Sequence, residues 1–189
     1  EEAITSSQME GASTSRRDAK KMLREGRRPQ TRSERMIRNN FLALVFVRGR
    51  LTDKLTPEFV CEVHRIVTEG TLDDPGDAGR LQREGEGRVR IYGTENEEQL
   101  LHVPPSASEL PERLERLCSF VNGEGEYATQ YVPPLVRALI VHFMMGYDHY
   151  FVDGNGRMAR VIAQWVMLRE GFFLMDFVPV SRLLHRAPA

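Results

Sequence analysis

The side chains of this chain that are best suited to chemistry lie close together between positions 149 and 160. They are one imidazole, one carboxylate, two glycines around an asparagine, and two guanidinium groups: His149, Asp153, Gly154, Asn155, Gly156, Arg157 and Arg160. Glycines let backbone N–H groups turn toward an anion and approach it closely. The stretch also opens a predicted helix, whose dipole favours negative charge at its N-terminus. The pattern therefore predicts an anion site that suits a phosphate chain.

The charged side chains of this stretch each have a place in such a site. Arg157 and Arg160 are three residues apart, so we expect them on one helix face, where guanidinium groups would meet phosphates. Asp153 offers one hard oxygen ligand, and Mg²⁺ on a nucleotide takes only one or two carboxylates from a protein. His149 remains as the natural proton acceptor.

Two helices must position these residues. Residues 133–147 are rich in apolar residues and good helix formers, and residues 157–170 form a second helix that Gly171 ends. The second helix is apolar on its other faces, which include Trp165, so we expect it to be central and mostly buried. A glycine-rich turn between two core helices is the simpler interpretation. It does not explain a histidine, an aspartate and two arginines at these spacings.

The whole stretch resembles the signature of the Fic (Fic/Doc) family, written His-Pro-Phe-x-(Asp or Glu)-Gly-Asn-Gly-Arg-x-x-Arg. Residues 149–160 match at every position except Tyr150, where the family commonly has proline. The resemblance implies an all-α Fic-type domain with a small β-hairpin, residues 12–189, preceded by an inhibitory helical segment, residues 1–11. Because proline stiffens a chain, the departure at Tyr150 bears on the stiffness of the loop.

The resemblance also implies an activity, protein adenylyl transfer (AMPylation). AMP would pass from ATP, bound with Mg²⁺, to a Tyr, Thr or Ser hydroxyl of a target protein. His149 would be the catalytic base and Asp153 the metal ligand. The nucleotide-binding residues would be Asp153, Gly154, Asn155, Gly156, Arg157, Met158, Ala159 and Arg160.

The first eleven residues allow two interpretations. Ser7 and Glu10 could form a capping box that opens a helix. Alternatively, a helix covers roughly residues 3–10 and ends at Gly11, which leaves Glu10 at the negative end of the dipole and in need of a distant cation. Ser6, Glu10 and Gly11 match the Fic inhibitory pattern, (Ser or Thr)-x-x-x-Glu-(Gly or Asn). The resemblance implies that Glu10 pairs with Arg160 and blocks placement of the ATP γ-phosphate.

A region of different character runs from Asp73 to Glu98. It is rich in glycine, aspartate and arginine, and then polar and apolar residues alternate, which predicts a short strand or hairpin. An exposed strand edge can accept a peptide as an added strand. By resemblance this is the flap that would align the target, and we assign to it Val89, Arg90, Ile91 and Tyr92. A surface loop with no partner is the alternative.

Local signals predict the remaining helices. Ser15 with Asp18 opens one helix, Thr31 with Glu34 opens a second, and Thr56-Pro57 opens a third. A further helix begins near Ser106. The apolar pattern fades after Phe172-Phe173. Four histidines lack convergent partners in the sequence and are left without a role: His64, His102, His142 and His185.

Composition bounds the broad class of protein. The chain has 189 residues, 41% of them hydrophobic, and a formal net charge of −1. The length and the hydrophobic fraction are sufficient for one domain with a hydrophobic core. Residues 16–50 are basic, but aromatic residues do not interleave with them before Phe41, so nucleic acid is a disfavoured partner.

The expected surroundings follow from the same composition. Cys61 and Cys118 fall in helical patterns and are expected to be reduced, which favours a cytoplasmic location. No apolar run is long enough to span a bilayer, and no secretory signal is present. We expect a fragment of a longer chain, because the first residues look like an interior start and the end is abrupt. A homo-oligomer stays open.

Three other functions remain open at this point. Glu10 could align a water that removes AMP from a modified protein. Related Fic proteins resemble this chain yet transfer other phosphate-containing groups. A catalytically silent nucleotide-binding module is the third alternative.

Overall fold

A computed structural model describes residues 1–92 and 99–187, and this part of the chain contains eight α-helices and one two-stranded sheet. The predicted all-α class with a small β-hairpin is therefore confirmed. The helices are α1 (Glu2–Met9), α2 (Arg16–Glu25), α3 (Arg32–Arg48), α4 (Pro57–Thr68), α5 (Leu110–Asn122), α6 (Pro134–Asp148), α7 (Asn155–Arg169) and α8 (Val180–Arg186). The strands are β1 (Ile91–Tyr92) and β2 (Leu100–His102).

Side-chain caps begin three of these helices where the sequence predicts them. Ser15 accepts a hydrogen bond from the N–H of Asp18 at the start of α2. Thr31 caps α3 and Thr56 caps α4 in the same manner. Each cap satisfies an N–H group that has no partner within its helix. Hydrogen bonds between residues close in sequence thus set where α2, α3 and α4 begin.

The core is organised around α7, as predicted. Trp165 is fully buried in α7, stands 5.3 Å from the ring of Phe59, and donates a hydrogen bond to the carbonyl of Arg50 at 3.0 Å. Helices α3, α4 and α6 all pack against α7. The remaining fully or nearly fully buried apolar side chains of α7 are Met158, Ala159, Val161, Ile162, Val166, Met167 and Leu168.

A second, smaller apolar cluster attaches α1 to the domain. Ile4 is 1% exposed and packs with Met22 of α2 and Ile37 of α3. The helix ends at Met9, with Glu10 in the C-cap position and Gly11 at a φ of 89°. The capping-box interpretation is therefore wrong, because a helix runs up to Glu10 rather than starting there.

The sheet is shorter than the predicted flap strand. Ile91 pairs with His102 and Tyr92 with Leu100, with one irregularity between the two pairs. Val89 and Arg90, which the alternating pattern includes in this strand, lie before it. Continuing the pairing would place Val89 opposite Pro104, which has no N–H to offer a ladder. Strand β2 was not predicted, and residues 93–98 of the predicted segment lie outside the described residues.

The segment after Phe172 is more ordered than its fading pattern indicates. A 3₁₀ turn over Phe173–Asp176 is followed by α8. The N–H of Ser181 donates to the Glu2 carboxylate at 3.0 Å, which joins α8 to α1. Across residues 1–92 and 99–187, none of the helices combines the length and apolarity that crossing a bilayer requires.

Candidate active site

The turn between α6 and α7 carries the predicted site residues, and its shape is set by Asn155. The Asn155 side chain accepts from the N–H of Phe151 at 3.0 Å and donates to the carbonyl of Phe151 at 2.7 Å. Gly154 occupies the left-handed region, with a φ of 84°, and a side chain there would press against Thr68. The Asn155 amide is thus turned into the loop, so it is the backbone of α7's first turn that faces a ligand.

Two predicted nucleotide-binding residues, Met158 and Ala159, lie in the core. Their exposed fractions are 0% and 2%. Their side chains therefore pack within the domain, and only their backbone belongs to the first turns of α7.

The carboxylate of Glu10 lies at the N-terminus of α7. A side chain on Gly156 would collide with it, so the absence of a Cβ there permits the close approach. Arg160 Nη2 donates to Glu10 Oε1 at 2.6 Å. An anionic group thus occupies the place where free helix N–H groups and a guanidinium converge.

Ser6, one helical turn before Glu10, also binds Arg160. Arg160 Nε donates to Ser6 Oγ at 2.7 Å, and Nη2 donates to the Ser6 carbonyl at 3.0 Å. The Arg160 side chain is 10% exposed and that of Glu10 is 30% exposed. Ser6 and Glu10 therefore engage Arg160 together, and Gly11 follows them as the residue that turns the chain.

Arg157 does not share the surroundings of Arg160, contrary to the expectation of one common face. It is fully buried, and Nη1 donates to the carbonyl of Val67 in α4 at 3.1 Å. Nη2 is 3.7 Å from Asp153 Oδ1. Residues three apart diverge by about 60° around a helix, and this divergence turns Arg157 toward α4 and Arg160 toward α1. In the part of the chain that the structure describes, Nε and Nη2 of Arg157 find no hydrogen-bond acceptor.

Asp153 lies at the mouth of the turn with its side chain 46% exposed. Its Oδ1 accepts from the N–H of Gly154 at 2.5 Å, and Arg32 Nη2 is 3.8 Å from Oδ2. Among residues 1–92 and 99–187, no three His, Cys, Asp or Glu side chains converge as a metal site. One accessible carboxylate suits an ion that brings its other oxygen ligands on a nucleotide and in water.

His149 has an unusual backbone for a residue with a side chain. Its φ is 50°, the only positive value at a non-glycine position among the described residues. Burial lowers the pKa of its imidazole below the ordinary 6.5, and the Arg88 charge acts in the same direction. The Gly146 backbone near the ring acts in the opposite direction and raises the pKa. The imidazole is therefore neutral at pH 7 and can accept a proton.

Tyr150, the departure from the family pattern, is part of a buried polar network. Its hydroxyl donates to Asp148 Oδ2 at 2.6 Å, and Arg113 Nη1 donates to Asp148 Oδ1 at 3.1 Å. Tyr150 and Asp148 are both 0% exposed. The side chains on either side of His149 are thus bonded to each other, which restrains the turn in place of a proline ring.

His64 is a residue that sequence reasoning left without a role. The N–H of Gly79 donates to its Nδ1 at 2.9 Å, so Nε2 carries the proton and donates to the Asp153 carbonyl at 3.0 Å. The ring also stacks on Phe151, with centroids 3.8 Å apart. Burial lowers its pKa to about 4. A neutral histidine of α4 therefore fixes the backbone of the turn between α6 and α7; its partners are 15 and 89 residues away in sequence, so local patterns give no sign of them.

His102 connects the flap to α6. Its ring donates from Nε2 to the carbonyl of Tyr147 at 2.8 Å, and the two rings are 4.2 Å apart. Tyr147 precedes His149 by two residues. The short hairpin is thereby held beside the turn that carries the candidate base.

These features define a helical domain that seats an anion at the N-terminus of its central helix, beside a neutral histidine and under a short hairpin. The sequence profile of the Fic/DOC family matches residues 54–167, more than half of the chain. The chain therefore belongs to the Fic/DOC family.

Curated relatives and solved structures agree with this assignment. The chain is 30% identical over 120 residues to protein adenylyltransferase fic-1 of Caenorhabditis elegans, covering 64% of this chain and 20% of the relative. It is 29% identical over 133 residues to protein adenylyltransferase Fic of Drosophila willistoni, covering 69% of this chain and 24% of the relative. The chain thus spans a quarter or less of the length of these two relatives.

Two solved structures share the fold. A Fic domain containing signaling protein of Bacteroides thetaiotaomicron superposes with a TM-score of 0.76 at 21% identity, covering 90% of this chain and 62% of that one. A Fic family protein of Desulfovibrio desulfuricans gives a TM-score of 0.75 at 24% identity, covering 97% and 51%. The similarity supports the architecture described above.

Proposed function

We propose that the chain is a protein adenylyltransferase that transfers AMP from ATP to a hydroxyl of a target protein and is inhibited by its own Glu10. One observation carries the proposal: an anionic group, the Glu10 carboxylate, is seated on Arg160 and Gly156 at the N-terminus of α7. A site that accepts a carboxylate in this way offers the same donors to a phosphate. The names of the curated relatives support the choice of reaction.

The phosphates of ATP would bind along the first turn of α7. Backbone N–H groups of Asn155 and Gly156 supply donors that have no acceptor within the helix. The N–H of Gly154 donates to Asp153, so Gly154 would contribute through its left-handed backbone at the start of the cradle. Arg160 would bind the outer phosphates once Glu10 is displaced. Nη2 of Arg157 lies 3.7 Å from Asp153 Oδ1 without a hydrogen bond among the described residues, so this guanidinium offers a second positive charge next to the loop. Fixed donors in a partly buried site stabilise charge as it develops, and this is usually the largest contribution to such a reaction.

His149 would act as the general base. The target hydroxyl attacks the α-phosphorus, a new P–O bond forms, the bond to the bridging oxygen breaks, and pyrophosphate leaves. The hydroxyl proton passes to the neutral His149 imidazole. Base catalysis by a positioned side chain contributes typically about 10²–10⁴-fold. The neutral imidazole has one ring nitrogen without a proton, and this nitrogen can accept the proton of the hydroxyl.

Asp153 would hold Mg²⁺ together with the phosphates. The ion, when bound, neutralises phosphate charge and supplies Lewis acidity. The role of this chain is to present a single carboxylate that the N–H of Gly154 fixes in direction.

The target would dock on the flap. Strands β1 (Ile91–Tyr92) and β2 are short, and Ile91 lines a groove together with Gly146 and Tyr147, the latter two residues before His149. A peptide added to this edge would bring its hydroxyl-bearing side chain toward the base. Val89 and Arg90 precede the strand and extend the backbone available for pairing.

Residues 1–11 form the proposed inhibitory segment and residues 12–189 the proposed Fic domain. Ser6 and Glu10 together satisfy three donor contacts of Arg160, so the guanidinium cannot serve the outer phosphate while α1 is docked. A cytoplasmic location is part of the proposal. Its support is that Cys61 and Cys118 do not pair with another cysteine in the described part of the chain.

The test uses Glu10→Gly protein with Mg²⁺ and ATP labelled on either the α- or the γ-phosphate, and reads label on the protein. Label from α-labelled ATP alone, lost when His149→Ala is added, is the expected result, with Glu10→Gly labelled more strongly than wild type. Label from γ-labelled ATP alone would make the chain a phosphoryl transferase. Equal labelling of wild type and Glu10→Gly would overturn the inhibitory role.

The reverse reaction is a second candidate, because the Glu10 carboxylate remains 30% exposed in the site and could align a water. A de-AMPylase needs this carboxylate, whereas the transferase is restrained by it. Incubating an AMPylated target with wild type and with Glu10→Gly separates them. Release of AMP only by wild type would favour the reverse reaction.

A further inference from the structure

We propose that Arg88 is the positioning residue of this site: its guanidinium fixes the backbone of His149 and ties that turn to both legs of the flap. The inference rests on the proposed function for its catalytic consequence, but it also predicts a property of His149 that is measurable without activity.

Every nitrogen of the Arg88 guanidinium is bonded. Nη2 donates to the carbonyl of Asp148 at 2.5 Å, and Nη1 donates to the carbonyl of His149 at 2.9 Å. Nη1 also contacts the side-chain oxygen of Gln82, and Nε donates to the carbonyl of Pro105 at 2.9 Å. One planar group therefore joins two backbone segments, at 148–149 and at 105, and the side chain of Gln82.

The bonds to Asp148 and His149 lie at the C-terminal end of α6. The last carbonyl groups of a helix have no partner within it, and a cation there also complements the helix dipole. His149 follows directly, in a left-handed conformation that a side chain disfavours and that persists only when surrounding contacts fix it. Arg88 binds the carbonyls of Asp148 and His149, and the N–H of Gln82 donates to the next one, that of Tyr150, at 2.9 Å.

Arg88 also lies at the base of the flap. Val89 follows it on the way into β1, and Pro105, whose carbonyl it binds, lies just beyond β2. The same guanidinium thus holds both ends of the hairpin at a fixed distance from His149, the proposed catalytic base. A lysine could not do this, since its ammonium is a point charge without a planar fork.

The positive charge of Arg88 faces the imidazole as well. The charged and titratable groups around His149 are Arg88 from the flap base, His102 from β2 and Glu10 from the end of α1. Arg88 and His102 disfavour a protonated His149, whereas Glu10 favours it. Asp148 is adjacent in sequence, but its carboxylate is engaged by Tyr150 and Arg113. Removing the Arg88 charge should therefore raise the pKa of His149.

The experiment places Arg88→Gln and Arg88→Lys in the Glu10→Gly background. The His149 pKa is followed by NMR of histidine-labelled protein, with the signal assigned by its loss in His149→Ala. Arg88→Gln should raise this pKa, because the positive charge that disfavours a protonated ring is removed. It should also lower kcat for AMP transfer by roughly 10- to 100-fold, because small misplacements of a reacting group are costly, and leave ATP affinity within about twofold.

The two controls separate charge from geometry. Arg88→Lys keeps the charge and loses the fork, so kcat should fall while the His149 pKa stays near its starting value. Arg83→Gln removes the charge of an exposed arginine five residues earlier and should change neither quantity. A folded Arg88→Gln protein with unchanged His149 pKa and unchanged kcat would overturn the inference. If Glu10→Gly itself transfers no AMP, the proposed function fails, and the pKa shift still decides whether the Arg88 charge faces the His149 ring.

Discussion

At the scale of single residues, the site depends on a histidine that is kept neutral and held in an unfavourable backbone conformation. Two neighbours restrain its backbone: Arg88 binds the main chain on one side, and Tyr150 bonds to Asp148 on the other. Burial keeps the imidazole neutral by lowering its pKa. Tyr150 shows how another residue can replace the proline of the family signature and still restrain the turn. A proline restrains a turn through its ring, and here a buried hydrogen bond does so.

The protonation of His149 gives a residue-scale prediction. Transfer needs the neutral imidazole, so the rate should rise with pH and level off above the pKa of His149. Since burial lowers this pKa, the midpoint of the acid limb should lie below 6.5. In Glu10→Gly, loss of the nearby negative charge moves the midpoint further down. The measurement is kcat against pH for Glu10→Gly, and a midpoint above 6.5 would contradict the prediction.

At the scale of helices and strands, the sequence predicts what local signals encode. Caps at Ser15, Thr31 and Thr56 place the starts of three helices within a residue. Strand β2 and helix α8 were not predicted, because three and seven residues are too few to establish a periodic pattern. These two elements were missed because they are short.

The links that shape the site were not predictable for a different reason. His64 reaches Asp153 across 89 residues, and Arg88 reaches His149 across 61. Neither residue belongs to a local sequence pattern, because its contacts form only when α4 and the flap pack against α6 and α7. Conversely, residues 149–160 were identified from sequence because they must serve the site from one continuous turn, where spacing alone reveals them.

Helix α1 provides an element-scale prediction. Ile4 is 1% exposed and packs α1 against the second apolar cluster, which contains none of the proposed phosphate donors. Replacing a buried isoleucine by alanine costs about 2–5 kcal/mol, enough to undock a short terminal helix. Ile4→Ala should therefore increase labelling from α-labelled ATP, as Glu10→Gly does, with every site residue intact.

Met9→Ala is the matched control for this change. Met9 lies on the same helix but is 38% exposed, so its removal should leave α1 docked and labelling at the wild-type level. Equal labelling of Ile4→Ala and wild type, with α1 shown to be undocked by amide hydrogen exchange, would contradict the proposed inhibition.

At the scale of the whole molecule, two features extend beyond the site. Large apolar side chains remain exposed on α6 and after α7, among them Phe143 at 64% and Phe177 at 80%. The predicted homo-oligomer stays a prediction. The second feature is the dependence of overall stability on a neutral His64, which connects α4 with the Asp153 backbone.

His64 predicts how stability varies with pH. The unfolded chain takes up a proton near pH 6.5, whereas the folded protein does so only near its pKa of about 4. The stability contributed by neutral His64 is complete above pH 6.5 and declines as pH falls toward 4, by about 3 kcal/mol at most. Urea unfolding from about pH 7 to about pH 4 should give a shallower slope of stability against pH for His64→Gln than for wild type.

An exposed histidine serves as the comparison. His185→Gln removes an imidazole at the surface of α8 and should keep the wild-type dependence on pH. Identical slopes for all three proteins would show that folding does not shift the pKa of His64, which would contradict the prediction.

The seated Glu10 has a consequence for how the protein would respond to nucleotide. The carboxylate is a tethered ligand, and a ligand attached by a short segment acts at an effective concentration of millimolar order. ATP would compete with it by supplying a tighter anion for the same donors, so the sensitivity of the protein to nucleotide would be set by how firmly α1 is docked. A change of a few kcal/mol in that packing would shift the half-saturating ATP concentration by orders of magnitude while the phosphate site itself stayed the same.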